Sequence, residues 1–134
     1  MIEEAAVEKR KQQLGNDHPD TLNSMTNLAN TYRYQGRLDE AEELEVMVME
    51  KRKRLLGEDH PLTLLSMEDL ANIYNNQGRW KDAEELEVVV MEKSKRVLGE
   101  DHPHTLLSME NLANIYRNQG RWNDAEKLSE AAAW

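Results

Sequence analysis

Residues 57–98 read GEDHPLTLLSMEDLANIYNNQGRWKDAEELEVVVMEKSKRVL, and this stretch decides the fold. Gly57 opens it and Gly78 cuts it into two segments. In the first segment Leu64, Met67, Leu70, Ala71 and Tyr74 recur along one face of a helix, without the alternation of a strand. Pro61 suits a first helical turn, where its missing N–H costs nothing. Asp59 or His60 then precedes the helix, and Asp59 favours the positive end of its dipole. Gly78 suits the left-handed position that ends a helix. Beyond it, Trp80, Ala83, Leu86 and Val90 form a second face, widened by Val88, Val89 and Met91. A sector that broad fits a helix packed between two neighbours. Glu84, Glu85 and Glu87 come early and Lys93, Lys95 and Arg96 late, as the dipole prefers. The spacing predicts helices over about 61–77 and about 80–98, antiparallel and joined by a short turn.

The same unit recurs on either side with a period of 42 residues. Gly15, Gly57 and Gly99 keep this spacing, as do His18, His60 and His102, and Pro19, Pro61 and Pro103. Gly36, Gly78 and Gly120 form the intermediate series, so all six glycines and all three prolines belong to the pattern. Residues 57–86 and 99–128 are identical at 25 of 30 positions, and 15–56 and 57–98 at 28 of 42. Units of this length stack because none buries its own apolar face. The reading is an all-α solenoid of antiparallel helix pairs. Residues 1–134 form a single array: a partial unit 1–14, units 15–56 and 57–98, and a truncated unit 99–134. Helices are expected over about 2–14 and 122–134 at the ends. The array begins and ends mid-unit, in AAAW, which reads as an excised or engineered piece of a longer array. Trp134 reads as an added chromophore.

Composition excludes several classes. The net charge of −9 disfavours nucleic acid and anionic membranes, since phosphate contacts need clustered positive charge. No apolar run is long enough to span a membrane, and the first fifteen residues lack a signal-peptide core. There is no cysteine, hence no disulfide and no thiolate metal site, as fits a reducing, cytoplasmic setting. Asp101, His102 and His104 lie close in sequence, but His18 and His60 recur beside proline as part of the turn, so no metal is expected. The run Lys51, Arg52, Lys53, Arg54 falls at a helix C-terminus, where cations are favoured, and reads as a solvated face. Phosphate loops, HExxH and nucleophile elbows are absent, and the acidic residues repeat with the unit, so neither an enzyme nor a cofactor is expected.

The run LANIYNNQGRWKDAEEL resembles the tetratricopeptide signature, with Leu70, Ala71, Tyr74, Gly78, Trp80 and Ala83 at its packing positions. LGEDHPLTL and the long period resemble the kinesin light chain variant and the arrays behind the nucleotide-binding module of fungal NOD-like proteins. Two features depart from the shorter common form: a second helix about two turns longer, and Val90 at a usually small position. The resemblance implies a right-handed superhelix whose first helices line a concave face that binds peptides or proteins. By position that face would show the rows Asn23, Leu65, Leu107; Thr26, Glu68, Glu110; Asn30, Asn72, Asn114; and Arg33, Asn75, Arg117. Tyr34, Asn76 and Asn118 fall at its edge. An asparagine ladder offers donors and acceptors to an extended backbone; alternatively the amides bond one another or face water. Thr26 and Leu107 stand where some relatives hold cations, and Asp69 where they hold asparagine, so a C-terminal carboxylate is disfavoured. With Glu68, Asp69 and Glu110 present, a basic or mixed apolar peptide is expected. The runner-up is self-association through the open ends, by stacking or helix exchange, with Ile2, Ala6 and Val7 exposed at one end and Leu128 and Ala132 at the other.

Overall fold

A computed structural model describes residues 2–133. It contains seven helices in that range: α1 (Ile2–Leu14), α2 (Pro19–Tyr34), α3 (Leu38–Leu56), α4 (Pro61–Asn76), α5 (Trp80–Leu98), α6 (Pro103–Asn118) and α7 (Trp122–Ala133). The expected boundaries hold to within one residue. Trp134, read as an added chromophore, lies outside the described residues. Each helix packs on the one before and the one after, so α1 to α7 form a single stack of helical hairpins. The first helices α4 and α6 also touch directly, whereas α3 and α5 make no comparable contact.

Local chemistry sets these boundaries. His18, His60 and His102 are the N-caps of α2, α4 and α6, and each Nδ1 accepts the N–H two residues on; for His60 the donor is Leu62 N at 3.1 Å. Proline follows at the first helical position, where no donor is lost. The recurrent histidine is thus a cap, in the place usually taken by Ser, Thr, Asp or Asn. His60→Ala is expected to cost about 0.5–2 kcal/mol in a urea melt. At the other end Gly78 sits at φ 78°, and Gly78 N and Arg79 N donate to Asn75 O at 3.1 Å and Tyr74 O at 2.9 Å. This is the paired-bond ending that only a left-handed residue completes without strain.

The core lies between successive helices. One cluster joins Val7, Leu22, Met25, Leu28, Tyr32, Ala41, Val48 and Ile73. The next joins Met49, Leu64, Met67, Leu70 and Val90, with Val46, Tyr74, Leu86 and Val89 against it. Two expectations need correction. Trp80, placed on the apolar face of α5, is 38% exposed, because it opens the helix beside the turn before the buried face begins. Val7, expected to be exposed at the N-terminal end, is buried, because α1 turns that side onto α2. Ala6, Leu128 and Ala132 are half-buried, which leaves Ile2 as the one fully exposed member of that set.

Polar staples repeat along the stack. Gln77 Nε2 and Arg79 Nη1 both donate to Glu42 Oε1 at 3.0 Å, and Gln119 and Arg121 repeat the pattern on Glu84 at 2.9 and 3.0 Å. Arg37, Arg79 and Arg121 each lie over the ring of the tyrosine five residues earlier, Tyr32, Tyr74 and Tyr116, 4.1–4.2 Å from its centre. Asp17 pairs with Lys51 and Arg54, and Asp59 with Lys93 and Arg96. The basic run at 51–54 is therefore only partly a solvated face: Lys51 and Arg54 bridge to Asp17, and Arg52 is buried.

Candidate functional site

The face formed by α2, α4 and α6 carries the residues picked out from the sequence. Leu65 and Leu107 are 38% and 51% exposed, large apolar groups presented to solvent. Asn30 and Asn72 are half-buried and Asn114 exposed. None of the three has a side-chain hydrogen bond to another protein group among the described residues. The neighbouring rows behave differently, because they staple one first helix to the next. Arg33 Nη1 donates to Asn76 Oδ1 at 3.2 Å, and Asn118 Nδ2 to Asn75 Oδ1 at 2.8 Å. Arg117 Nη2 instead donates within its own hairpin, to Ser129 Oγ of α7 at 2.9 Å. The alternative in which amides bond one another thus describes the edge rows, while the row at 30, 72 and 114 keeps its donors and acceptors open.

The acidic residues separate as well. Glu110 is exposed, but Glu68 is 2% exposed and held between α4 and α6. Asn111 Nδ2 donates to Glu68 Oε1 at 2.6 Å, and His104 Nε2 lies 2.8 Å from Oε2. Below this lies a feature the sequence reading missed. Glu45 and Glu87, on the second helices, have no exposed surface. Burial raises the Glu87 carboxyl to about 9, with Glu68 and Asp69 adding repulsion and Asn111 opposing it. Burial and Asp69 raise Glu45 to about 8 against the pull of Arg52, Ser66 and Thr26. Burial raises Glu68 to about 7, opposed by Asn111, and Asp69 to about 6, the latter with Glu68 adding repulsion and Arg33, Arg52 and His104 opposing. A charged carboxylate without full compensation is disfavoured in such surroundings, so Glu45 and Glu87 are held as neutral acids at neutral pH.

A signal for them was present in the sequence. Ala83, Glu87, Val90 and Ser94 are spaced four, three and four, one continuous helix face with a glutamate on it. All four are buried. On the preceding second helix the equivalent face is Ala41, Glu45, Val48 and Arg52, again buried throughout. Arg52 Nη1 donates to Ser66 Oγ at 2.8 Å and Leu62 O at 3.3 Å, and Nη2 to Asn23 Oδ1 at 2.9 Å. A cavity of about 320 Å³ adjoins it, lined mainly by Leu22, Leu55, Leu56, Leu62, Asn23 and Arg52. Among the described residues no His, Asp and Glu set converges in a way that could hold a metal ion. No helix there is long and apolar enough to cross a membrane.

Similarity to known proteins agrees with this geometry. No curated protein matches the chain significantly. Crystal structures of the nearly identical TPR-like repeats of a kinesin light chain protein from Podosopora anserina are similar over 98% of this chain at 31% identity. The TM-score is 0.85 for a variant with one glutamine changed to methionine and 0.82 for the other form. BtubC (BKLC) from P. vanneervenii shares the fold, with 23% identity and a TM-score of 0.83 over 98% of this chain. The chain spans 62%, 63% and 52% of these three proteins, less than two thirds of each. The tetratricopeptide repeat model matches residues 21–62, 63–104 and 105–133, the expected 42-residue period in a later phase. The chain, all-helical and built of these repeats over most of its length, belongs to the tetratricopeptide repeat family.

Proposed function

We propose that this chain is a non-enzymatic scaffold that binds an extended peptide segment of a partner protein along the face of α2, α4 and α6. Tetratricopeptide repeats serve in general as protein-interaction scaffolds, which supports the coarse reading. The observation that carries the proposal is the open row Asn30, Asn72 and Asn114 beside rows whose amides are bonded from one first helix to the next. Side-chain amides in series can pair with both the N–H and C=O of an extended backbone. Leu65 and Leu107 supply apolar contact beside them, and Glu110 with the net charge of −9 favours a basic partner over a free carboxylate. Arg33 and Arg117, occupied by Asn76 and Ser129, act as supports of the face. The absence of cysteine fits a cytoplasmic setting.

The test is direct. Peptides selected from a random library against the protein should lose about tenfold or more in affinity when Asn72 and Asn114 are both replaced by Ala, since each lost hydrogen bond is worth about 0.5–1.5 kcal/mol. Titration calorimetry reads this, with circular dichroism checking that the fold is unchanged. Unaltered affinity in the folded double variant rejects the asparagine row as the contact.

A further inference from the structure

The cavity of about 320 Å³ beside Arg52 lies where α2 and α4 begin and α3 ends. Its size falls within the range of about 300–1,000 Å³ usual for small-molecule sites. Leu22 belongs to the buried core, but Leu55, Leu56 and Leu62 line the cavity while 49%, 43% and 40% exposed. They give it an apolar mouth open to solvent, with Arg52 and Asn23 as polar groups in the wall. The set does not recur with the repeat. One unit earlier the places of Arg52, Leu55 and Leu62 hold Arg10, Gln13 and Asp20, and one unit later Ser94, Val97 and His104. What packs the stack recurs with the unit, whereas a site is an asymmetric constellation.

The Arg52 guanidinium is only partly occupied. Nη1 donates to Leu62 O and Ser66 Oγ, and Nη2 to Asn23 Oδ1, which leaves Nε and one hydrogen of Nη2 without an acceptor among the described residues. No carboxylate of those residues forms an ion pair with it; Glu45 and Asp69 act on it only through space, against the effect of burial. Asp17, the acid that lines the cavity, is already bridged by Lys51 and Arg54. We propose that this cavity binds a free aliphatic carboxylic acid, with the carboxylate on Arg52 and the chain among Leu22, Leu55, Leu56 and Leu62. Guanidinium and carboxylate match as fork to fork, through short charge-assisted bonds. A peptide C-terminus carries the same carboxylate but also amide groups, for which the leucine walls offer no partner. Asn72 and Asn114 do not line the cavity, so the site stands apart from the asparagine row.

Octanoate, 1-octanol and an acetylated peptide ending in leucine are titrated against the full chain with labelled leucine methyl groups, and NMR reads the shifts. Octanoate should give saturable shifts at Leu55, Leu56 and Leu62, and 1-octanol should bind about tenfold or more weakly for want of charge-assisted bonds. Arg52→Ser and Leu62→Asp install what the third and first units carry at these places, so the fold has a precedent for each. Each should weaken octanoate about tenfold or more, with circular dichroism confirming the helices. If Arg52→Ser does not fold, Leu62→Asp decides, because it alters an exposed side chain and keeps the backbone acceptor of Arg52. Absence of saturable shifts at these leucines in the wild type overturns the site. Equal binding of octanoate and 1-octanol, or unchanged affinity in the folded variants, overturns the role of Arg52 and with it the proposal. Tighter binding of the peptide than of octanoate overturns the free acid as occupant and gives the site to the C-terminus of a partner. The asparagine row is tested by other substitutions, so its reading stands or falls separately.

Discussion

Lowering the pH from about 8 to about 5 should stabilise the folded chain by about 3 kcal/mol or more. Glu87 and Glu45 titrate at about 9 and about 8 in the folded chain, and Glu68 and Asp69 at about 7 and about 6. Their ordinary values are 4.5 for the glutamates and 3.8 for the aspartate. A folded pKa above the unfolded one means that the native chain holds protons the unfolded chain releases. That contribution is complete below the unfolded value and is lost as the pH rises through the folded one. Two groups acting over a single pH unit already give about 3 kcal/mol. The surface pairs act the other way. Asp17 and Asp59 are held below their ordinary values by Lys51 and Lys93 first, with Arg54 and Arg96 adding, and Glu40 by Arg37. Their support is lost as the pH falls through those lowered values. Stability should therefore peak near pH 5 and decline on both sides. Urea melts across this range test it. In the Glu45→Gln, Glu87→Gln variant, which keeps the shape and removes the ionisation, the alkaline decline should shrink. A wild type equally stable at pH 8 and pH 5 contradicts the assignment of neutral acids.

Leu70→Ala should cost about 2–5 kcal/mol, through lost transfer energy and the cavity left behind. Leu70 is 2% exposed and sits in the cluster with Met49, Leu64, Met67 and Val90. These residues come from α3, α4 and α5, so the substitution loosens both the hairpin and its docking on the preceding one. The loss should spread beyond its own unit, because stability in a stack is the sum of units and their interfaces. Hydrogen exchange should show α4 and α5 as the best protected segment in the wild type and α1 and α7 as the first to open. Least protection in the middle of the stack would contradict this picture, as would a Leu70→Ala cost below about 1 kcal/mol.

The helical frame was legible because glycine, proline and the apolar period all point to the same boundaries. The histidines were rightly read as part of the turn, and the structure adds the atom that does the capping. What escaped was polarity inside the apolar sector. Glu87 was counted with Glu84 and Glu85 as an early acidic residue suited to the dipole, yet it alone lies in line with Ala83, Val90 and Ser94. A run of glutamates does not say which member turns inward; the four-three-four spacing does. Arg52 was hidden in the same way, as one cation among four. The role of Trp80 was misjudged because a helix opens beside a turn, where its first residue has packing on only one side.

The staples also bear on how the chain finds its own order. Asp59 meets Lys93 and Arg96 as Asp17 meets Lys51 and Arg54, and Glu84 repeats the contacts of Glu42. These recurring contacts do not tell a folding chain which hairpin belongs on which. The unlike residues at the junctions do. Arg52 with Asn23 and Ser66, against Ser94 with Leu65 and Ser108, give each interface its own signature, so that a hairpin docked one place out of sequence would bury a cation without its acceptor or an apolar side chain against a charge. The odd residues in a repetitive chain serve as its page numbers.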